Sequence, residues 1–312
     1  MKKALLYALV SSSILTVVSC NNTIDQPRLA DGALNNVGSS TANNYFAQAQ
    51  RQEAAGKTSK AIKSYRYLAD HFPIAPQAAQ ARYQQATLLY GQGELIKSFD
   101  AYQSFIEKYN SSNLYSQALA RQQEVATAAA GGKIKNNFLG LKSNIAGATA
   151  AKMLTQVKNN APYATSAPQA QFSIGELWQK RRNNLKAINA YKQVQKDYPN
   201  SKRTPEALYR VGTLLMNESA TGNRNKASLD QARNVFLDLR QQYPSHPRAK
   251  DAKQKLSQLA SSNVQRSYEI AEFYRKKGQA AAATIYYKEV IKLSPSGSLH
   301  NLAKQRLASL GQ

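Results

Sequence analysis

The stretch Ala167–Pro199, APQAQFSIGELWQKRRNNLKAINAYKQVQKDYP, decides how the chain folds. Between Gln169 and Lys180, Phe172, Ile174, Leu177 and Trp178 recur at the spacing of one helix face. Between Leu185 and Tyr198, Leu185, Ala187, Ile188, Tyr191, Val194 and Tyr198 do the same. Asn183 and Asn184 punctuate the two runs, and Pro199, which lacks the N–H a further turn would need, stops the second. Gly175 precedes Ala187 by twelve positions, so a small residue on each helix stands where two closely crossing helices would meet. The unit reads as an antiparallel helix pair with aromatics at Trp178 and Tyr191 and a proline at its end.

The same offsets recur along the chain. Counted back from Tyr243-Pro244 they fall on Leu239, Phe236, Ala232 and, across a loop eight residues longer, Gly212. From Pro295 they fall on Val290, Tyr287, Ala283, Tyr274 and Ala271, and from Phe72-Pro73 on Leu68, Tyr65, Ala61 and Ala49. A unit ending at Tyr109-Asn110 keeps Phe105, Tyr102, Ser98 and Ala86 without the proline; a weaker copy ends at Pro162 with Val157, Leu154 and Ala150. This order of small residue, aromatic and proline resembles the tetratricopeptide (TPR) repeat. One helix pair cannot bury its apolar face alone, so the modules must stack. The resemblance implies an all-α, TPR-like α-solenoid, a right-handed superhelix of five to six helix pairs. A capping helix over Leu299–Leu310 closes it, with Lys304, Gln305 and Arg306 beside Leu302 and Leu307. Only 10 Pro and 15 Gly in 312 residues agree with helix throughout, and no sheet of consequence is expected.

The single cysteine, Cys20, excludes an internal disulfide framework and a cysteine-based zinc site. It ends the segment MKKALLYALVSSSILTVVSC, in which Lys2 and Lys3 precede an apolar run and then small residues, the layout of a secretory signal peptide. Val17-Val18-Ser19-Cys20 resembles the bacterial lipobox, whose cysteine becomes the lipidated first residue of the mature protein. That resemblance implies more than one acyl chain, enough for stable anchoring. The expected division is 1–19 signal peptide, 20–42 lipidated flexible tether rich in Asn, Ser and Gly, and 43–312 repeat domain. Asn21, in place of aspartate after the cysteine, favours release to the outer membrane if the rule of enteric bacteria applies. The formal charge of +24 suggests a polyanion. Export argues against nucleic acid and leaves phospholipid headgroups, lipopolysaccharide, cell-wall carboxylates or acidic proteins. Such a contact needs Lys and Arg gathered on one face; scattered over solvated helices they would only keep the protein soluble.

Catalytic signatures are missing from the sequence. His71, His246 and His300 have no metal-binding spacing, and there is no GxSxG, Walker loop or dinucleotide-binding glycine motif, so no enzyme, metal or cofactor is expected. Two regions suggest binding. Inserted in the third module, Gly131–Gly147 (GGKIKNNFLGLKSNIAG) carries Ile134, Phe138, Leu139, Leu141 and Ile145, apolar residues either packed back on the solenoid or held out for a partner. On the first helices, an aromatic recurs three residues before the small one: Phe46, Tyr83, Phe172, Tyr209 and Tyr268. Thr87 and Tyr90 follow on the same face. In TPR proteins that face lines a groove, where rings and amides suit an extended peptide. The alternative is that these rings pack between helices.

The endings Phe72-Pro73, Tyr198-Pro199-Asn200-Ser201 and Tyr243-Pro244-Ser245, behind a lipobox and a short tether, resemble those of the BamD family of outer-membrane assembly lipoproteins. YNSSNLYSQALARQ (Tyr109–Gln122), with an insertion behind it, adds to the likeness. The resemblance implies a non-enzymatic protein, lipid-anchored to the outer membrane and facing the periplasm. Its partners would be a BamA-like barrel assembly protein and unfolded outer-membrane proteins. The C-terminal strand signal of the latter would enter a groove in the early modules, at Tyr83 and Tyr90 foremost. Asn110, the lengthened fifth module and the positive charge depart from the pattern. Two other readings are a scaffold resembling the Tol-associated coordinator of cell-wall synthesis, against which the absence of heptads in residues 21–42 counts, and a basic peptidoglycan or polysaccharide binder.

Overall fold

Helices follow one another in pairs along the chain, whose computed structural model describes residues 32–132, 134–136, 142–221 and 226–311. The pairs are α1 (Gly32–Ala54) with α2 (Thr58–His71), α3 (Ala78–Gly91) with α4 (Leu95–Lys108), and α5 (Tyr115–Ala130) with α6 (Gly147–Asn160). They continue with α7 (Ser166–Lys180) and α8 (Asn184–Asp197), α9 (Thr204–Thr221) and α10 (Lys226–Gln242), and α11 (Pro247–Lys276) and α12 (Ala280–Leu293). Helix α13 (Ser298–Ser309) caps the array. Each helix packs on the next, and the buried residues fall into four clusters strung end to end, as stacking of TPR-type pairs demands. In addition α5 touches α7 and α9 touches α11, whereas successive second helices make no comparable contact. The first helices therefore line the inner side of the solenoid and the second helices its outer side.

The recurring residues are the core of each pair. Ala49, Ala86, Ala271 and the rings facing this level, Tyr65, Tyr102, Tyr191, Phe236 and Tyr287, are all buried. At Gly175 a Cβ would stand 2.4 Å from Tyr191 Cε1, and at Gly212 2.5 Å from Phe236 Cζ, so in these two modules the ring lies against bare backbone. Ser98, where the other modules have alanine, donates to Ala86 O at 2.8 Å, which satisfies its buried hydroxyl. The tyrosine hydroxyls are also satisfied: Tyr65 donates to Glu53 Oε2 at 2.7 Å, Tyr191 to Gln179 Oε1 at 2.9 Å, Tyr287 to Glu272, and Tyr102 lies 2.9 Å from Thr87 Oγ1. Where the ring is Phe236, with no hydroxyl, the position of Glu53 and Gln179 is held by Met216.

Turns repeat as faithfully. Gly56, Gly93 and Gly278 end their first helices in the left-handed region (φ 68°, 74° and 73°), and Arg182 does so at 58°. The following N–H closes each turn: Lys57 to Gln52 O, Glu94 to Leu89 O, Asn183 to Trp178 O and Gln279 to Tyr274 O, all within 2.8–3.0 Å. At the second-helix ends the N–H groups of Phe72, Tyr109, Tyr198 and Tyr243 reach back to Leu68, Phe105, Val194 and Leu239. Tyr109 makes this bond at 2.9 Å although Asn110 replaces proline, so the stop is set by the backbone turn.

One expectation needs correcting. Helix α1 begins at Gly32, inside the stretch read as tether; the packing of Ala42, Tyr45 and Ala49 on α2 supplies the nucleus, and no proline stops the helix from running back from it. Helix α11 runs unbroken for 30 residues, because Ser261-Ser262-Asn263 contains no breaker. The third module also carries a two-stranded antiparallel hairpin, β1 (Ile134–Asn136) and β2 (Lys142–Asn144), with Ile134 opposite Asn144 and Asn136 opposite Lys142; at three residues a strand it leaves the all-α architecture unaltered.

Candidate binding groove

Each aromatic singled out on a first helix packs, edge-on or tilted, against the ring of its own module's second helix. The centroid distances are 5.8 Å for Phe46–Tyr65, 5.6 Å for Tyr83–Tyr102, 5.1 Å for Phe172–Tyr191, 6.0 Å for Tyr209–Phe236 and 5.8 Å for Tyr268–Tyr287. Such pairs contribute about 0.5–1.5 kcal/mol beyond the burial of their area. Phe172 is only 2 % exposed and belongs to the core, which removes it from any groove. Phe46, Tyr83, Tyr209 and Tyr268 are half-buried. Thr87 donates to Tyr83 O at 3.0 Å and meets the Tyr102 hydroxyl, so it holds this ring pair in place.

Tyr90 behaves differently. From α3 it faces Ala120, Gln123, Glu124, Thr127 and Ala128 of α5 across an open cleft of about 460 Å³. The width follows from the small residues of α5, and the orientation of α5 from a buried amide cluster behind it. There Gln122 donates to Gln103 Oε1 at 2.6 Å, and Asn160 Nδ2 donates to Gln103 and Gln122, each at 2.7 Å, tying α4, α5 and α6 together. Sequence reasoning missed this cluster, since a buried Gln on a Gln-rich helix looks like any surface Gln.

Farther along, the inner side is closed by ions. Glu206 on α9 accepts from Arg210 Nε at 2.8 Å and from Arg248 Nε of α11 at 2.5 Å; Arg210 also reaches Gln179 of α7 at 3.3 Å. Arg248 lies 4.4 Å over the Tyr209 ring and bonds Asp251 at 2.7 Å. Burial opposes ionisation of Glu206, but the hydrogen bonds from Arg248 and Arg210 outweigh it and hold the carboxyl below its ordinary range. Near the cap, Glu272 is pulled to a pKa of about 2, chiefly by Arg275, against a smaller opposing effect of burial. It also lies 3.1 Å from Arg306 of α13.

The base of the 131–147 insertion is clamped by the end of α7. Lys180 Nζ donates to Gly131 O and Arg181 Nη2 to Ile145 O, each at 2.6 Å, and Ile145 is buried. Ile134 heads β1; Phe138, Leu139 and Leu141, with Cys20, lie outside the described residues. The histidines have structural partners: His71 Nδ1 lies 2.9 Å from Tyr67 O, His300 Nδ1 2.8 Å from Ser294 O, and His246 caps α11 by accepting from Arg248 N. Among the described residues no group of three or more His, Cys, Asp or Glu could hold a metal, and no helix is long and apolar enough to cross a membrane.

Stacked helix pairs with an inner cleft and no assembled catalytic group among the described residues define a helical-repeat scaffold. Residues 143–303, just over half of the chain, match the family described as YfiO, outer membrane lipoprotein, and the chain belongs to that family. It is 25% identical over 152 residues to the outer membrane protein assembly factor BamD of Neisseria gonorrhoeae, covering 46% of this chain and 57% of that one. To BamD of Caulobacter vibrioides it is 24% identical over 137 residues, 44% of this chain and 45% of that one. It thus spans about half the length of these curated relatives. A TPR protein of known structure from Parabacteroides merdae aligns over 88% of this chain and all of that one, at 12% identity and a TM-score of 0.33. A likeness that loose leaves the fold to rest on the helix pairing itself.

Proposed function

We propose that this protein is a non-enzymatic adaptor, lipid-anchored at Cys20 to the outer membrane and facing the periplasm, that takes part in the assembly of outer-membrane β-barrel proteins. The cleft between α3 and α5 carries the reading. Tyr90 offers a flat apolar surface, Gln123 an amide able to pair with a peptide bond, and Ala120, Thr127 and Ala128 leave room for an extended strand. Unfolded outer-membrane proteins, through their C-terminal strand, are the proposed cargo, and a BamA-like barrel assembly protein the proposed partner, with the 131–147 hairpin as its contact. Family membership and the likeness to assembly factors named BamD support this reading.

The test is a crosslinked pull-down from native envelopes with the tagged chain, followed by mass spectrometry. Recovery of a BamA-like barrel protein, lost when residues 131–147 are excised, is the expected result. Recovery of cell-wall synthases or Tol components without any such barrel protein would contradict it.

A further inference from the structure

The positive charge of this chain is sorted by helix. The second helices α2, α4, α6, α8, α10 and α12 carry fifteen Lys and Arg against seven Asp and Glu, whereas the first helices α1, α3, α5, α7 and α9 carry five of each. Helix α11 has seven basic residues and three acidic, with four of the seven before residue 256, in the half that has no counterpart in the other modules. Scatter for solubility would not spare the inner side. Nearly all of the second-helix cations are exposed, among them Lys60, Lys63 and Arg66 on α2 and Lys186, Lys192 and Lys196 on α8.

Exposed apolar side chains follow the same division, with Phe273 on α11, 55 % exposed, as the exception. Among the described residues no large apolar side chain is exposed on α1, α3, α5, α7 or α9. On the outer side Ile96 adjoins Lys97, Leu185 adjoins Lys186, Leu237 lies between Arg233 and Arg240, and Ile285 is one turn from Lys288. Leu185 is 67 % and Ile285 66 % exposed. A carbohydrate or nucleic-acid polyanion gives such aliphatic side chains nothing to bury in. An anionic bilayer gives both: headgroup charge for the cations and acyl chains for the apolar side chains.

We infer that the outer, second-helix side of the solenoid is a docking surface for an anionic phospholipid membrane, on which it would rest with the inner cleft turned away. The inference rests on the envelope location proposed above and not on the groove, so Tyr90→Ala should leave it untouched. The test uses the full chain with Cys20→Ala, which takes the acyl anchor out of the comparison, in co-sedimentation with vesicles. Binding is expected to phosphatidylglycerol/phosphatidylethanolamine vesicles at low salt, and not to phosphatidylcholine alone. Reversing Lys186, Lys192 and Lys196 to Glu should weaken it on the order of a hundredfold. Leu185→Ser with Ile285→Ser should weaken it roughly tenfold at unchanged charge. Lys192→Glu should weaken binding several-fold while Arg51→Glu on α1, an equal change in net charge, should not; thermal melts confirm that each variant folds. Absence of binding to the anionic vesicles would overturn the inference, as would equal losses from Lys192→Glu and Arg51→Glu. Binding to peptidoglycan sacculi as tight as to vesicles and indifferent to Leu185 and Ile285 would overturn it in favour of a cell-wall polymer.

Discussion

Between α3 and α5 the first helices stand apart over a cleft edged by Tyr90 and by the Ala, Gln and Thr of α5, while between α7, α9 and α11 the same side is filled by Gln179, Arg210, Glu206 and Arg248. Both regions are built from one repeat, with the same buried ring and the same small residue opposite it. What differs is side-chain length on the exposed face of the first helix. Short residues leave an open cleft, and arginine–glutamate pairs turn the same geometry into a strut. The family match, 143–303, falls on the strutted part and leaves out both α3 and α5.

Four changes would break or sharpen this contrast. The largest effect is expected at Gly175, where valine would drive a Cβ to 2.4 Å from the Tyr191 ring; a loss of about 3 kcal/mol in urea unfolding is expected. Gly91→Ala, in the open half with nothing within 4 Å of its Cβ, should be neutral or gain about 0.5 kcal/mol. Next, Arg248→Ala removes two bonds to Glu206, one to Asp251 and the cover of Tyr209, and should cost only about 1–2 kcal/mol because the side chains are part-exposed. Arg121→Ala, which breaks an exposed pair with Glu124 on α5 and a contact with the Tyr83 hydroxyl, should cost less than about 0.5 kcal/mol. Equal losses would mean that the ions are not struts.

Acid should act on the C-terminal half first. The carboxyl of Glu272 titrates near 2 instead of 4.5, so its stabilisation is complete above pH 4.5 and is lost as pH falls towards 2. Glu206, also lowered, acts in the same direction. Glu272→Gln should flatten the fall in melting temperature over that window; an unchanged profile would rule this carboxyl out. A gain is expected at Arg182, in the left-handed conformation that the other modules give to glycine: Arg182→Gly should raise stability by about 0.5–1 kcal/mol, and a loss would show that the arginine side chain has a role of its own.

The fold was legible because its determinants are periodic. Ala49, Ala86, Gly175, Gly212 and Ala271, with the rings opposite them, could be counted off the chain, and each is a core contact. The candidate groove was half legible. The rings at Phe46, Tyr83, Phe172, Tyr209 and Tyr268 carry the same period as the core because they are paired with it, so periodicity alone cannot separate a ring that supports a groove from one that lines it. Tyr90 was found, but the α5 wall opposite was not, since Ala120, Thr127 and Ala128 are inconspicuous one at a time and make a cleft only by what they leave empty. The Glu206–Arg248 bond joins residues 42 apart, and the clamp from Lys180 to Gly131 joins residues 49 apart. No local pattern announces pairs so distant.

The α3–α5 cleft, and not the ion-filled side beyond it, is the proposed seat of an extended peptide. The most direct measurement places a photo-crosslinking residue at Thr127 on α5 or, as a control, at Glu218 on α9, and irradiates each with a labelled peptide from the C-terminal strand of a β-barrel protein. Crosslinking from position 127, competed by unlabelled peptide, abolished by Tyr90→Ala and absent from position 218, is the predicted result. Equal crosslinking from both positions, or crosslinking at 127 indifferent to Tyr90, would contradict it.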